Sequence, residues 1–231
     1  MLASRVRLLR PAVSLRLLSS LPITTAPIGQ PQPQTPSERA TEKWVNMFVC
    51  ELNLCPFAKD VVKSNKLRIK QVIGEDSKDV ATQIIDEIVK LQEGTGPEAH
   101  ESTLLVVPQF RDFDAYLDLV EDVQTVSEET ELCDDVQIAT FHPDYMFRDT
   151  SADDVTNWTN RSPYPAVHLL RTDDVSNAID AYKGNTEIIW TRNKKTVNKL
   201  GLEKLQKMMS ECTKEDNTVE EVLTEEHSSP N

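Results

Sequence analysis

A chain of 231 residues, 39% apolar and 27% charged, has the composition of one globular domain with tails. Its net charge of −13 excludes a basic nucleic-acid footprint, and no apolar run approaches the ~20 residues that span a bilayer.

The charge is unevenly placed. Residues 1–37 hold Arg5, Arg7, Arg10, Arg16 and five serines without one acidic residue. An Arg- and Ser-rich, acid-free start is the pattern of an organellar transit peptide; the reading is the mitochondrial matrix, with plastid and secretory routes as alternatives. Residues 1–34 are set apart as transit peptide and linker. Cys50, Cys55, Cys133 and Cys212 have no framework spacing and are expected as free thiols.

The fold is predicted to start at Thr35, which caps a helix with Pro36 in its first turn and Glu38 closing a capping box. Trp44, Val45, Phe48, Val49 and Leu52 follow the helical period, and Asn53 is a left-handed stop. Cys55 before Pro56 repeats the cap-then-proline start of a second, short helix. Then come a strand at 67–73, a helix over 77–93, a strand at 102–107, a helix from Asp112 and a strand at 135–141. Residues 142–164 read as loop with one helical turn after Ser151. A fourth strand at 166–171 and helices at 172–183 and 186–211, the last broken at Gly201, complete the domain. Alternation of strand and helix predicts a single α/β domain over 35–211, with about four mostly parallel strands, helices packed on the sheet and extra terminal helices. The last strand is free to run antiparallel, because its connection need not be a helix. Residues 212–231 are acidic, poor in apolar side chains and expected to be a disordered tail.

Between His142 and Arg171 there is no Lys, Glu or Gly; the charges are Arg148, Arg161 and Arg171 against Asp144, Asp149, Asp153 and Asp154. Arg and Asp lose less freedom when fixed, so the bias fits a stiff hydrogen-bonded lining. In open α/β sheets ligands gather beyond the carboxyl ends of the strands, which places His142, just after the third strand, at a site. A histidine there suits acid–base work, against the alternative of a bond to loop backbone. His168 lies within a strand, on the face of Ala166 and Leu170, as a half-buried structural residue. Asp153 is a candidate carboxylate for acid–base chemistry, whereas Asp154 reads as a helix cap. Arg161, pinned in "TNRSPYP" between two prolines and beside Asn160 and Ser162, suits bidentate recognition of a carboxylate or phosphate. Cys55 at a helix N-cap would have its thiolate stabilised by free N–H groups; the alternative is a small core hydrophobe.

Three blocks together, "LNLCPFAK" (52–59), "FHPDYMF" (141–147) and "DDVTNWTNRSPYPAVHLLR" (153–171), resemble domain-of-unknown-function family 1415. The resemblance carries no activity, substrate or cofactor. It implies that the matching positions, among them Cys55, Phe57, His142, Tyr145, Asn157, Asn160, Arg161, Ser162, Tyr164 and His168, belong to a shared site or core.

The leading expectation is an enzyme for a small anionic metabolite. Arg161, Asn157 and Asn160 would grip the anion, His142 would act as acid or base, and Cys55 as nucleophile. No cofactor is indicated. One alternative is a non-catalytic module whose aromatic loop 157–165 docks another protein; another is a metal-assisted hydrolase using His142, Asp153 and His168. A recessed pocket with His142 and Arg161 favours the enzyme, and an exposed Trp158/Tyr164 patch favours the module.

Overall fold

The computed structural model of the chain describes residues 34–94, 99–130 and 135–214. The transit-peptide reading, Cys133 and all of the acidic tail beyond residue 214 lie outside the described residues.

Helix α1 (Pro36–Trp44) opens on the expected capping box: the Thr35 side chain accepts from the Glu38 N–H, and the Glu38 carboxylate accepts from Thr35 N–H at 2.7 Å. The chain then winds into a π-helical stretch, Val45–Glu51, and stops at Asn53, whose φ of 55° is left-handed. After the short α2 (Ala58–Lys63) come β1 (Leu67–Gln71), α3 (Ser77–Glu93), β2 (Ser102–Val106), α4 (Phe113–Glu129) and β3 (Val136–Phe141). A 3-10 turn at Val155–Thr159 interrupts the long connection to β4 (Ala166–Arg171). The predicted helix over 186–211 resolves into a 3-10 turn at Thr186–Ile188, α6 (Ile189–Leu200) and α7 (Leu202–Thr213); α5 (Thr172–Ala181) precedes them. The break is at Gly201, where φ is 77° and a side chain would be strained.

The sheet order is β1-β2-β4-β3. Only β1 and β2 pair in parallel; β4 lies between β2 and β3 and runs antiparallel to both. The sheet is therefore mixed, not mostly parallel. β4 returns through an irregular connection that need not cross the sheet, so it inserts head-down between strands pointing the other way.

Alternation along the strands divides the core. Leu105, Val107, Val167 and Leu169 pack beneath α3 and α4 with Val80, Ile84, Ile88, Tyr116 and Leu119. On the other face Leu67, Ile69, Leu104, Phe141 and Ala166 meet Trp44, Phe48, Val197 and Leu205 from α1, the π stretch, α6 and α7, with Leu54 from the turn after the π stretch and Trp158 from the 3-10 turn. At the sheet edge the buried Glu87 is held by Arg68, Lys70 and Lys90 at 2.7–2.9 Å. Burial pushes its carboxyl up, but the hydrogen bonds from Lys70 and Lys90 and the charge of Arg68 outweigh this and hold it below the usual range.

Candidate functional site

His142 follows β3 as expected, yet it is fully buried. Its Nδ1 accepts from the Asp144 N–H at 3.0 Å, which leaves the proton on Nε2 to be donated to the Phe110 carbonyl at 3.1 Å. The ring lies against Phe113 and Tyr116. Burial lowers its pKa, against the opposing pull of the Phe110 carbonyl and Asp144. A neutral imidazole with both nitrogens engaged by backbone, and lining none of the pockets described below, holds the loop to α4 and leaves nothing for a substrate.

The rest of the loop is organised in the same way. The buried Asn157 accepts from Phe147 N–H at 3.1 Å and Thr150 Oγ1 at 2.7 Å, and donates to the Ser151 carbonyl at 2.8 Å. Asn160 bonds the Thr140 carbonyl, and buried Ser162 donates to the Tyr164 carbonyl at 2.6 Å. Asp154 caps the following turn by accepting from Thr156, while Asp153 is exposed. Tyr145 packs on Phe113 and Phe147, and Tyr164 lies under Arg111. Trp158 is only 6% exposed and stacks on Phe48, so the loop does not present the aromatic pair that a docking surface would need.

Arg161 donates to the Tyr145 and Ala152 carbonyls at 3.3 and 2.8 Å and lies over the Trp158 ring. No carboxylate forms an ion pair with it among the described residues. It lines a shallow groove with Pro143, Trp158, Ser162, Met209 and Thr213. His142 does not line this groove, and among the described residues no group of three His, Cys, Asp or Glu is placed to hold a metal ion.

A deeper space lies on the opposite side of the sheet from α3 and α4. A cavity of about 260 Å³ is walled almost entirely by apolar atoms of Trp44, Val45, Val49, Cys55, Phe57, Val61, Leu104, Phe141 and His168. For scale, an apolar cavity of ~150 Å³ admits benzene. Its floor is the sheet, through alternate residues of β1, β2, β3 and β4. Its roof is the π stretch and α2. The reach of the π stretch explains how Trp44, Val45 and Val49 share one wall; such stretches recur at functional sites. Asn53 then reverses the chain, the Cys55 N–H bonds the Val49 carbonyl, and Arg192 and Asn193 of α6 clamp the Asn53 and Leu54 carbonyls. That clamp sets Cys55 in the wall.

A wider hollow of about 480 Å³, the mouth, adjoins the cavity: Cys55, Phe57, Val61, Ser102 and Leu170 line both, and Asp60, Glu101, Arg171, Asp174 and Tyr182 line the mouth alone. Cys55 thus lies on the wall between them. The structure brings Cys55 to His168, not to His142.

Two residues of the wall carry an unsatisfied ring nitrogen: Trp44 Nε1 and His168 Nε2 are covered and have no hydrogen-bond partner. His168 as a whole residue is half-buried, but burial of its ring drives its pKa from 6.5 to about 4, so it is neutral. Cys55 departs from expectation. The cap of α2 is Phe57, two residues on, and burial raises the thiol pKa, against the N–H groups of Phe57 and Ala58 and the charge of Arg192. A resting thiol and a neutral imidazole that line one cavity are not a preformed thiolate–imidazolium pair.

Residues 37–207 match the family model described as protein of unknown function DUF1415. The chain belongs to this family. No curated protein and no solved structure matches it. The blocks that mark the family divide in space: Cys55, Phe57 and His168 meet at the cavity, Arg161, Ser162 and Pro163 at the groove, and His142 and Asn157 in the packed loop. Sequence reasoning named Phe57 among the shared positions but missed Trp44 and Leu104 as cavity-lining residues, because apolar side chains at helical or strand period read as core. The available signal was "CPF" directly after the chain reversal at Asn53.

Proposed function

We propose that the cavity behind Cys55 is the ligand site and that the chain binds a small organic molecule with an apolar body. Cys55 is the wall group able to react with it. The observation that carries this is an apolar cavity with a partly exposed cysteine in its wall, lined also by two residues, Trp44 and His168, whose covered ring nitrogens lack partners. Pockets of this kind, mostly apolar with a few convergent polar groups, are the usual form of small-molecule sites. Any chemistry at Cys55 begins from the thiol, so proton removal belongs to the bound state. The test is calorimetric titration with n-hexanol: the native chain binds it weakly, and Ala139→Phe, which fills the cavity floor, abolishes binding while the fold is retained by circular dichroism. Equal binding by both would contradict the proposal.

A second reading keeps the anionic ligand at Arg161, favoured by the absence of an ion-paired carboxylate there among the described residues. Titration with inorganic phosphate, followed at the Arg161 Nε–H by NMR, checks it; no response up to high millimolar phosphate removes it. The acid-free, Arg-rich first residues support a place in the mitochondrial matrix. A fluorescent fusion of residues 1–34 is expected to enter mitochondria, and a cytosolic signal would count against this.

A further inference from the structure

We infer that the ligand of this cavity carries a positive charge at its outer end, an organic ammonium on an apolar body; the inference rests on the cavity being the ligand site. The mouth holds three carboxylates, Asp60, Glu101 and Asp174, and one cation, Arg171. Arg171 is already engaged: its Nη2 donates to the Gly94 carbonyl, and Asp174 is its ion-pair partner at 3.9 Å. Asp60 and Glu101 have no ion pair among the described residues, which leaves the entrance with a net negative charge. Its aromatic walls are Phe57 and Tyr182, in an edge-to-face pair with centroids 5.4 Å apart. Carboxylates beside aromatic rings attract an ammonium through charge and the ring quadrupole together. An anion entering here would meet repulsion on desolvation.

The acidic groups alone would be an ordinary solvated surface. What sets them apart is the apolar cavity adjoining them, which is lined by Trp44, a residue only 2% exposed whose covered Nε1 has no partner. The depth selects an apolar body and the rim selects its head group. This reverses the charge expected from Arg161, because that side chain faces a different groove.

The test compares three probes that share one tail: n-hexylammonium, n-hexanol and hexanoate, titrated at neutral pH and low salt into the full chain. Hexylammonium is expected to bind about tenfold more tightly than hexanol, with hexanoate weakest. The double variant Asp60→Asn/Glu101→Gln should bring hexylammonium to the hexanol level and leave hexanol unchanged, which also shows that the variant is folded. Hexanoate binding as tightly as hexylammonium, or a preference that survives the double variant, overturns the cationic-ligand proposal alone. Failure of all three to bind overturns the cavity reading beneath it.

Discussion

His168 stands in the middle strand of a sheet face with no partner for Nε2, and its folded-state pKa of about 4 lies below the 6.5 of a free histidine. The lowered value fixes the sign of its pH effect. Above pH 6.5 both folded and unfolded chains carry it neutral; as pH falls, the unfolded chain binds the proton first, so stability is lost through the window from about 6.5 to about 4. The full loss is about 3 kcal/mol. Urea unfolding across that window should show the decline, and His168→Phe should flatten it; an unchanged slope would mean the histidine is not buried as described. Cys55 makes the opposite prediction to an activated nucleophile. Its alkylation in a Cys50→Ser/Cys133→Ser/Cys212→Ser background should stay slow until pH rises above the ~8.5 of a free thiol. His142→Ala should leave that profile in place, because the two residues share no pocket. A thiolate titrating below neutrality would contradict the burial argument.

At the scale of elements, the loop after β3 is a packed structure in its own right. Asn157 satisfies three groups at once, so Asn157→Ala leaves buried donors and acceptors unmet and should cost about 2–4 kcal/mol in chemical denaturation, with any n-hexanol affinity retained by the folded fraction. A cost below about 0.5 kcal/mol would return the loop to the surface. The elements themselves were legible in the sequence. The capping box at Thr35 and Glu38, the stop at Asn53, the break at Gly201 and the four strands all stand where local chemistry puts them. The stiff lining expected of the 142–171 window is met only in part: Arg161, Arg171 and Asp154 hold backbone, whereas Asp144, Arg148, Asp149 and Asp153 are exposed. Strand direction was not, because an apolar run such as "AVHLLR" reads the same from either end. The π winding of Val45–Glu51 and the slip of the α2 cap from Cys55 to Phe57 depend on tertiary packing that no local signal encodes.

For the whole molecule, the proposed site lies at the opposite end of the sheet from His142. The rule that ligands collect at the carboxyl ends assumes parallel strands, and it pointed to His142. With β4 inverted, its carboxyl end at Leu170 and Arg171 sits beside the amino ends of β1 and β2, and the cavity mouth opens there, at Glu101 and Ser102. Cys55 and His168 were both visible as candidates, but their meeting across more than half the domain is a property of the sheet order. The described residues include no helix long and apolar enough to cross a membrane, and the apolar surface that calls for a guest is internal.

The most direct test of that claim is a two-dimensional amide NMR titration of the chain with n-hexanol, in which the indole N–H groups of Trp44, Trp158 and Trp190 report separately. Saturable shifts at the Trp44 indole and at the backbone of Cys55, Leu104 and His168, with Trp158 and Trp190 unmoved, are the predicted result. Shifts confined to Trp190 or the Arg161 loop, or none that saturate, would mean that the cavity is closed packing and not a site.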